Sequence, residues 1–331
     1  MAGRRRKKSG GRSYAWRYRG RIVACVFVEV IIICALVIMI GWNKGVKEWL
    51  EQFEQPILKE VDISGINSPN AILMQARGGK ILGEINGEAQ IYPASMTKIM
   101  TVILGIENFD NLDEKITLTD EMFSGLYEQD ATQAGFQPGE EVRVIDLLYG
   151  AMLPSGAECC IALADTISGS EADFAELMNK KARKLGMENT HFCDSTGLHN
   201  PDHYSTVKDI AVLMKYCIKN DTFREIVETS RHSTGVTNIH PDGITYYSTM
   251  FKNLSDPTVT GGKILGGKTG YTSEAGHCLV SFAEIEGREY IFVSAGASGA
   301  DGNTIPHIQD AVTVYNRVGA AIEAKMNDNN K

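Results

Sequence analysis

A stretch of 21 apolar residues with a single charge, IVACVFVEVIIICALVIMIGW at positions 22–42, constrains this chain more than any other feature. As a helix at 1.5 Å per residue it measures about 31 Å, the thickness of a bilayer core. A cleavable leader has a shorter apolar core ending in small residues, and no such site follows Trp42, so an uncleaved signal anchor is expected. Charge agrees with that. Nine of the 33 basic residues fall in the first 21 positions, whereas residues 43–331 hold 24 basic and 40 acidic groups. The positive-inside rule keeps the basic tail cytoplasmic and puts everything after the span outside. A domain so acidic repels nucleic acid, which is excluded as a partner. Glu29, alone in the span, marks either a partner contact or a protonated carboxyl. The expected layout is a tail at 1–21, a span at 22–42, an amphipathic stalk at 43–60 and one folded domain at 61–325.

Within that domain, 71–75 and 80–85 are short apolar runs around Arg77-Gly78-Gly79, a hairpin pattern. Met96 to Asn108 is apolar on nearly every side, which predicts a helix buried all round. Between 119 and 230, spacings of three and four predict helices over 144–153, 158–167, 171–185 and 206–218, an all-helical insert. Strand patterns return at 263–265, 278–284 and 290–295, the last two joined at Glu286-Gly287-Arg288. A periodic stretch at 305–324 is expected to cover the sheet, with the polar NDNNK end fraying. The fold class is therefore mixed α/β, a mainly antiparallel sheet flanked by helices. The five cysteines after the span show no metal or disulfide spacing and are expected to be small buried hydrophobes.

Chemistry is suggested first by Ser95-Met96-Thr97-Lys98, which sets a hydroxyl and an ammonium one turn apart on the buried helix. A desolvated lysine at a helix start has a lowered pKa and can take the serine proton. The pattern alone carries little weight, since roughly one SxxK arises by chance in a chain this long. Ser205-Thr206-Val207-Lys208 is a second match, at the start of an amphipathic helix whose lysine should face water. Lys268-Thr269-Gly270 occurs once and arises by chance in fewer than about one such chain in ten. A cation, a hydroxyl and a bare glycine along a strand edge suit an extended peptide ending in a carboxylate. Ser155, in Leu153-Pro154-Ser155-Gly156-Ala157, is the third hydroxyl, either functional or a helix N-cap.

In this order the three motifs resemble the penicillin-recognising serine enzymes, whose SxxK, SxN and KTG set is a known signature. The blocks YPASMTKIMT, QPGEEVRVIDLLYGAMLPSGAE, LGMENTHFCDSTGL, HYSTVKDIA and GGKTGYTSEAGHCLV are similar to those of low-molecular-weight D-alanyl-D-alanine carboxypeptidases, over about residues 65–300. The resemblance implies a β-lactamase/transpeptidase-like fold and attack by Ser95 on the terminal D-Ala-D-Ala bond of a peptidoglycan stem peptide. It further implies Lys98 as base, Ser155 as proton relay, Lys268 and Thr269 on the substrate carboxylate, and the N–H groups of Ser95 and Tyr271 as oxyanion hole. Gly270, Tyr271 and Thr272 complete the implied substrate strand. β-Lactams are the implied covalent inhibitors, a bacterial cell membrane the implied location, and no cofactor or metal is required. One departure stands out: the middle motif ordinarily ends in Asn, and this chain has Ala157. Either another polar group, such as Glu158 or Asn200, fills that gap, or substrate orientation is weaker; a silent penicillin binder or a D,D-endopeptidase relative are the alternatives. A β-lactamase would need a further glutamate to activate water, which has no counterpart after residue 157. A zinc peptidase would use His199 and His203 in HNPDH, but Pro201 between them argues for a loop rather than a shared helix face.

Overall fold

The computed structural model describes residues 58–254, 256–299 and 305–329. The expected tail, span and nearly all of the stalk, with Glu29, lie outside the described residues. No helix among the described residues is long and apolar enough to cross a membrane.

Six strands form one antiparallel sheet. In chain order they are β1 (Asn70–Gln75) and β2 (Ile81–Ile85) and, after four short strands outside this sheet (β3, Lys115–Thr117; β4, Glu141–Arg143; β5, Arg231–Ser233; β6, Thr245–Tyr247), β7 (Thr258–Val259), β8 (Gly262–Thr272), β9 (Gly276–Ile285) and β10 (Arg288–Ala297). Across the sheet they run β2-β1-β10-β9-β8-β7. The expected hairpin is present, its turn bent by Gly78 and Gly79, both at positive φ. A second hairpin turns through Glu286 and Gly287, also both at positive φ, the backbone of a two-residue turn matched to strand twist. Residues that alternate along a strand point to opposite faces, and here both faces are buried. Ile72 and Met74 of β1, Val280 and Phe282 of β9, and Ile291 and Val293 of β10 join one core. Ala71, Leu73, Leu279, Ala283, Tyr290 and Phe292 join another. That is why these strands read as nearly continuous apolar runs.

The second core is closed by the C-terminal helix Pro306–Asn329 and by residues near the start of the described domain, Leu58, Val61 and Ile63. Asp310 of that helix accepts hydrogen bonds from the Ser68 hydroxyl at 2.6 Å and the Ser68 N–H at 2.9 Å. Ser68, in the Ser68-Pro69-Asn70 stretch that leads into β1, thereby ties this part of the chain to the helix. The helix runs five residues past the expected Ala324, so most of the polar end continues it instead of fraying.

The first core is the larger and holds the helical half. Its centre is α1 (Lys98–Asn108), preceded by a 3-10 turn at Ala94–Thr97. Around it stand α2 (Val144–Met152), α3 (Ala157–Ser168), α4 (Glu171–Leu185), α5 (Val207–Cys217) and α6 (Asp221–Glu228). Seven of the first eight residues of α1 are apolar or Thr and all eight are buried, as a helix apolar all round requires. The insert is not all-helical. Strands β3 (Lys115–Thr117) and β4 (Glu141–Arg143) pair as one ribbon, and β5 (Arg231–Ser233) and β6 (Thr245–Tyr247) pair as another. Each is three residues long, too short for a period-2 signal to stand out, and half their residues are exposed and charged or polar. Cys159, Cys160, Cys217 and Cys278 are fully buried free thiols, and burial holds Cys160 and Cys278 at about 12, so they pack as apolar groups. Cys193 is half-buried.

Candidate active site

Ser95 lies in the 3-10 turn that feeds α1, and Lys98 is the first residue of α1 proper. Lys98 Nζ stands 3.0 Å from Ser95 Oγ and donates to the Thr196 carbonyl at 2.7 Å. The lysine is 3% exposed, and among the described residues it makes no ion pair. Burial lowers its pKa, with the Cys160, Asp194 and Glu158 charges acting in the opposite sense. Facing this pair is another of the same kind. Lys268 Nζ donates to Ser155 Oγ at 3.0 Å and to the Thr269 carbonyl at 2.9 Å. Lys268 is fully buried too, and burial together with the nearby Lys98 charge pushes its pKa well down. Both serines line one cleft of about 750 Å³, with Thr249, Thr269, Tyr271 and His277 among its walls, while the two amines sit behind them.

Three backbone features bring these groups together. Ala94, immediately before Ser95, adopts φ +47, and Ser155 adopts φ +74. A non-glycine residue in that region is strained by about 1–3 kcal/mol, and such strain gathers at functional sites. Ser155 therefore precedes α3 as a strained turn, and the N-cap position falls to Gly156. Lys268-Thr269-Gly270 is not a loop; it lies in β8, which extends seven residues beyond the expected 263–265. Strand β8 pairs with β9 along its length but with β7 only at Gly262 and Lys263. Its other edge, at Thr269–Thr272, faces the cleft. Gly270 has a specific reason to lack a side chain: a Cβ there would lie 3.0 Å from the Ser95 backbone nitrogen. Main chain thus packs directly on main chain beside Ser95. Thr269 Oγ1 meets Thr249 Oγ1 at 2.7 Å, which fixes its rotamer on the cleft wall.

Ala157 is buried at the start of α3, where its N–H donates to the Thr132 carbonyl and its methyl can donate nothing. Neither suggested substitute reaches the cleft. Glu158 turns Oε1 to the N–H groups of Ala134 and Gly135, and burial raises its pKa. Asn200 Oδ1 accepts from Asp202 in its own turn. His199 packs edge-on against Tyr92, while His203 is buried against Asp194 and Thr97, so the two imidazoles of HNPDH have separate engagements. Sequence reasoning missed Thr196, Thr249 and Asp194. Of these, only the DSTGL block containing Asp194 and Thr196 carried any signal, as a block without an assigned role.

A mixed sheet-and-helix fold with a lysine-paired serine at the head of a buried helix, a second serine opposite and a KTG strand beside them defines the penicillin-recognising serine class. The comparisons agree. Residues 57–299 match the family model described as D-alanyl-D-alanine carboxypeptidase. The chain is 35% identical over 231 residues to D-alanyl-D-alanine carboxypeptidase DacF of Bacillus subtilis, covering 69% of this chain and 57% of the relative. It is 33% identical over 261 residues to D-alanyl-D-alanine carboxypeptidase DacC of Escherichia coli, covering 72% and 58%. The crystal structure of a Streptomyces DD-transpeptidase superposes with a TM-score of 0.71 at 30% identity, covering 79% of this chain and 100% of that one. The chain belongs to the D-alanyl-D-alanine carboxypeptidase family. It spans somewhat under three fifths of the length of the two carboxypeptidases just named.

Proposed function

We propose that the protein is a serine-type D-alanyl-D-alanine carboxypeptidase that removes the terminal D-alanine from peptidoglycan stem pentapeptides. The observation that carries this is the pair of serine–lysine contacts, each 3.0 Å, facing one cleft beside a free strand edge. The stem peptide adds to the edge of β8 at Thr269–Thr272 in extended form. Its terminal carboxylate meets the Thr269 hydroxyl and the amine of Lys268. Lys98, whose pKa burial lowers, takes the Ser95 proton as Oγ attacks the scissile carbonyl. The N–H groups of Ser95 and Tyr271 receive the oxyanion, a contribution of about 3 kcal/mol in comparable sites. Ser155 passes a proton to the departing D-alanine, and water then releases the acyl group from Ser95. A β-lactam enters by the same attack and stays bound.

With Ala157 in place of Asn, the substrate amide loses one donor, worth about 1–3 kcal/mol. The enzyme therefore works with a looser grip on its acyl donor, and Ala157→Asn is expected to raise kcat/KM for D-alanine release. The proposed setting is a bacterial cell membrane: residues 22–42 span it once, residues 1–21 stay in the cytoplasm, and the catalytic domain of 61–325 works outside. The test is the detergent-solubilised full chain with a fluorescent penicillin and a stem pentapeptide. A stable adduct lost in Ser95→Ala, together with free D-alanine, supports the assignment. An adduct that survives Ser95→Ala removes it, and an adduct without D-alanine release reduces the protein to a penicillin binder.

A further inference from the structure

Among the described residues no carboxylate pairs with Lys98, so something else must aim it. Besides Ser95, its hydrogen-bond partner among the described residues is the Thr196 carbonyl, and the turn that presents this carbonyl is tied down from several sides. Asp194 Oδ1 accepts from the N–H and hydroxyl of Thr196, both at 2.7 Å, and from the N–H of Gly197 at 2.6 Å. Asp194 Oδ2 lies 3.0 Å from His203 Nδ1, and His203 Nε2 lies 2.9 Å from Thr97 Oγ1. Two groups approach Nδ1, the Asp194 carboxylate at 3.0 Å and the Cys193 N–H at 3.2 Å; the carboxylate only accepts and lies closer, which puts a hydrogen on Nδ1, and in the neutral ring Nε2 then accepts from the Thr97 hydroxyl. Thr97 itself sits between Ser95 and Lys98. Three neighbours on α1 and its entry thus grip one loop: Thr97 through His203, Lys98 through the Thr196 carbonyl, and Thr101 through the Ser195 carbonyl at 2.6 Å. The loop is pressed against the nucleophile turn so closely that a Cβ on Gly197 would sit 1.9 Å from the Ala94 carbonyl oxygen.

We propose that Asp194 and His203 are positioning residues that, through Thr97, hold the Thr196 carbonyl where it directs Lys98 Nζ onto Ser95 Oγ. The couple touches no substrate. It works as the orienting member of a catalytic constellation does, one shell out from the proton transfer, and it acts on acylation rather than on binding. This rests on the assignment of Ser95 and Lys98 given above.

Thr97→Val and Thr97→Ser decide it in the full-length protein, because volume and hydroxyl are separated between them. Misplacing a reacting group by an ångström slows reactions about a hundredfold, so Thr97→Val should slow penicillin acylation and peptide kcat by about tenfold or more with KM unchanged. Thr97→Ser, which keeps the hydroxyl, should restore most of the rate. A role in packing alone predicts the reverse order, with Val at the parent rate, and that result overturns the proposal. Equal loss in both, with a raised KM and a lowered Tm, also overturns it. Should Thr97→Val fail to fold, Asp194→Asn decides: it keeps the oxygen that holds the turn but inverts the imidazole tautomer, so a lowered kcat at unchanged KM supports the couple and a parental rate rejects it. Labelling that survives Ser95→Ala is a separate failure, of the nucleophile itself.

Discussion

The sequence contains the same four-residue pattern twice, and the two copies have opposite physical fates. At 95–98 the lysine is buried, bonded to its serine, and carries a lowered pKa. At 205–208 the serine hydroxyl meets Thr190 Oγ1 at 2.8 Å and Thr206 caps α5, while Lys208 reaches outward to pair with Glu88. That hydrogen bond raises the Lys208 pKa. Spacing is identical, so spacing does not make a base. What differs is whether the amine is denied water and left without a counter-charge, and that is what lowers its pKa and makes it the better proton acceptor.

The largest expected contrast is between the two serines. Ser95→Ala should abolish penicillin labelling, read on a gel, whereas Ser205→Ala should label at the parental rate with a somewhat lower Tm from the lost Thr190 contact. Next come the two lysines. Lys98→Met should slow acylation by about 10²–10⁴-fold, the usual range for a positioned general base. Lys208→Met should leave the acylation rate unchanged. The two lysines should also oppose each other in pH dependence. With a folded pKa below the ordinary 10.5, Lys98 leaves the unfolded chain holding a proton that the native one lacks, so stability rises with pH from the lowered value up to 10.5. Denaturant melts across that window should flatten in Lys98→Met. For Lys208 the pKa is raised, so its contribution is present at lower pH and fades as pH climbs through the raised value. Solvent screening keeps that second effect small. The smallest effect is on stability at neutral pH, where Lys98→Met should gain about 1–2 kcal/mol, since a buried polar group with two bonds gives way to an apolar one. A loss of stability there would mean that the lysine is held as part of the core and not at its expense.

How much of this was legible in the sequence follows from how far each signal reaches along the chain. The buried helix at 98–108, the helices at 144–185 and the 278–295 hairpin announce themselves through local periodicity. Lys268-Thr269-Gly270 is legible because three rare neighbours coincide. The strand character of Lys268-Thr269-Gly270 is read from the motif and not from a period, because Lys-Thr-Gly-Tyr-Thr has no apolar alternation: its inner edge is fixed by β9, its outer edge left open, and neither fact is local. The two ribbons were missed because three-residue strands carry no period. Thr196 and Thr249 were invisible for another reason, since one contributes a carbonyl and the other a single hydroxyl, groups that any loop offers. Their meaning comes from partners, Lys98 and Thr269, that lie 98 and 20 residues away.

Gly270 and Gly197 press bare backbone against the turn that carries Ser95. At Gly197 an added Cβ would lie 1.9 Å from the Ala94 carbonyl oxygen, so the turn must move, whereas at Gly270 the 3.0 Å contact asks it to give by only a few tenths of an ångström. On the proposed function, a change at this frame shifts Ser95 for every ligand alike. Variants that separate an antibiotic from the peptide it imitates are therefore expected farther along the cleft, around Thr249 and His277.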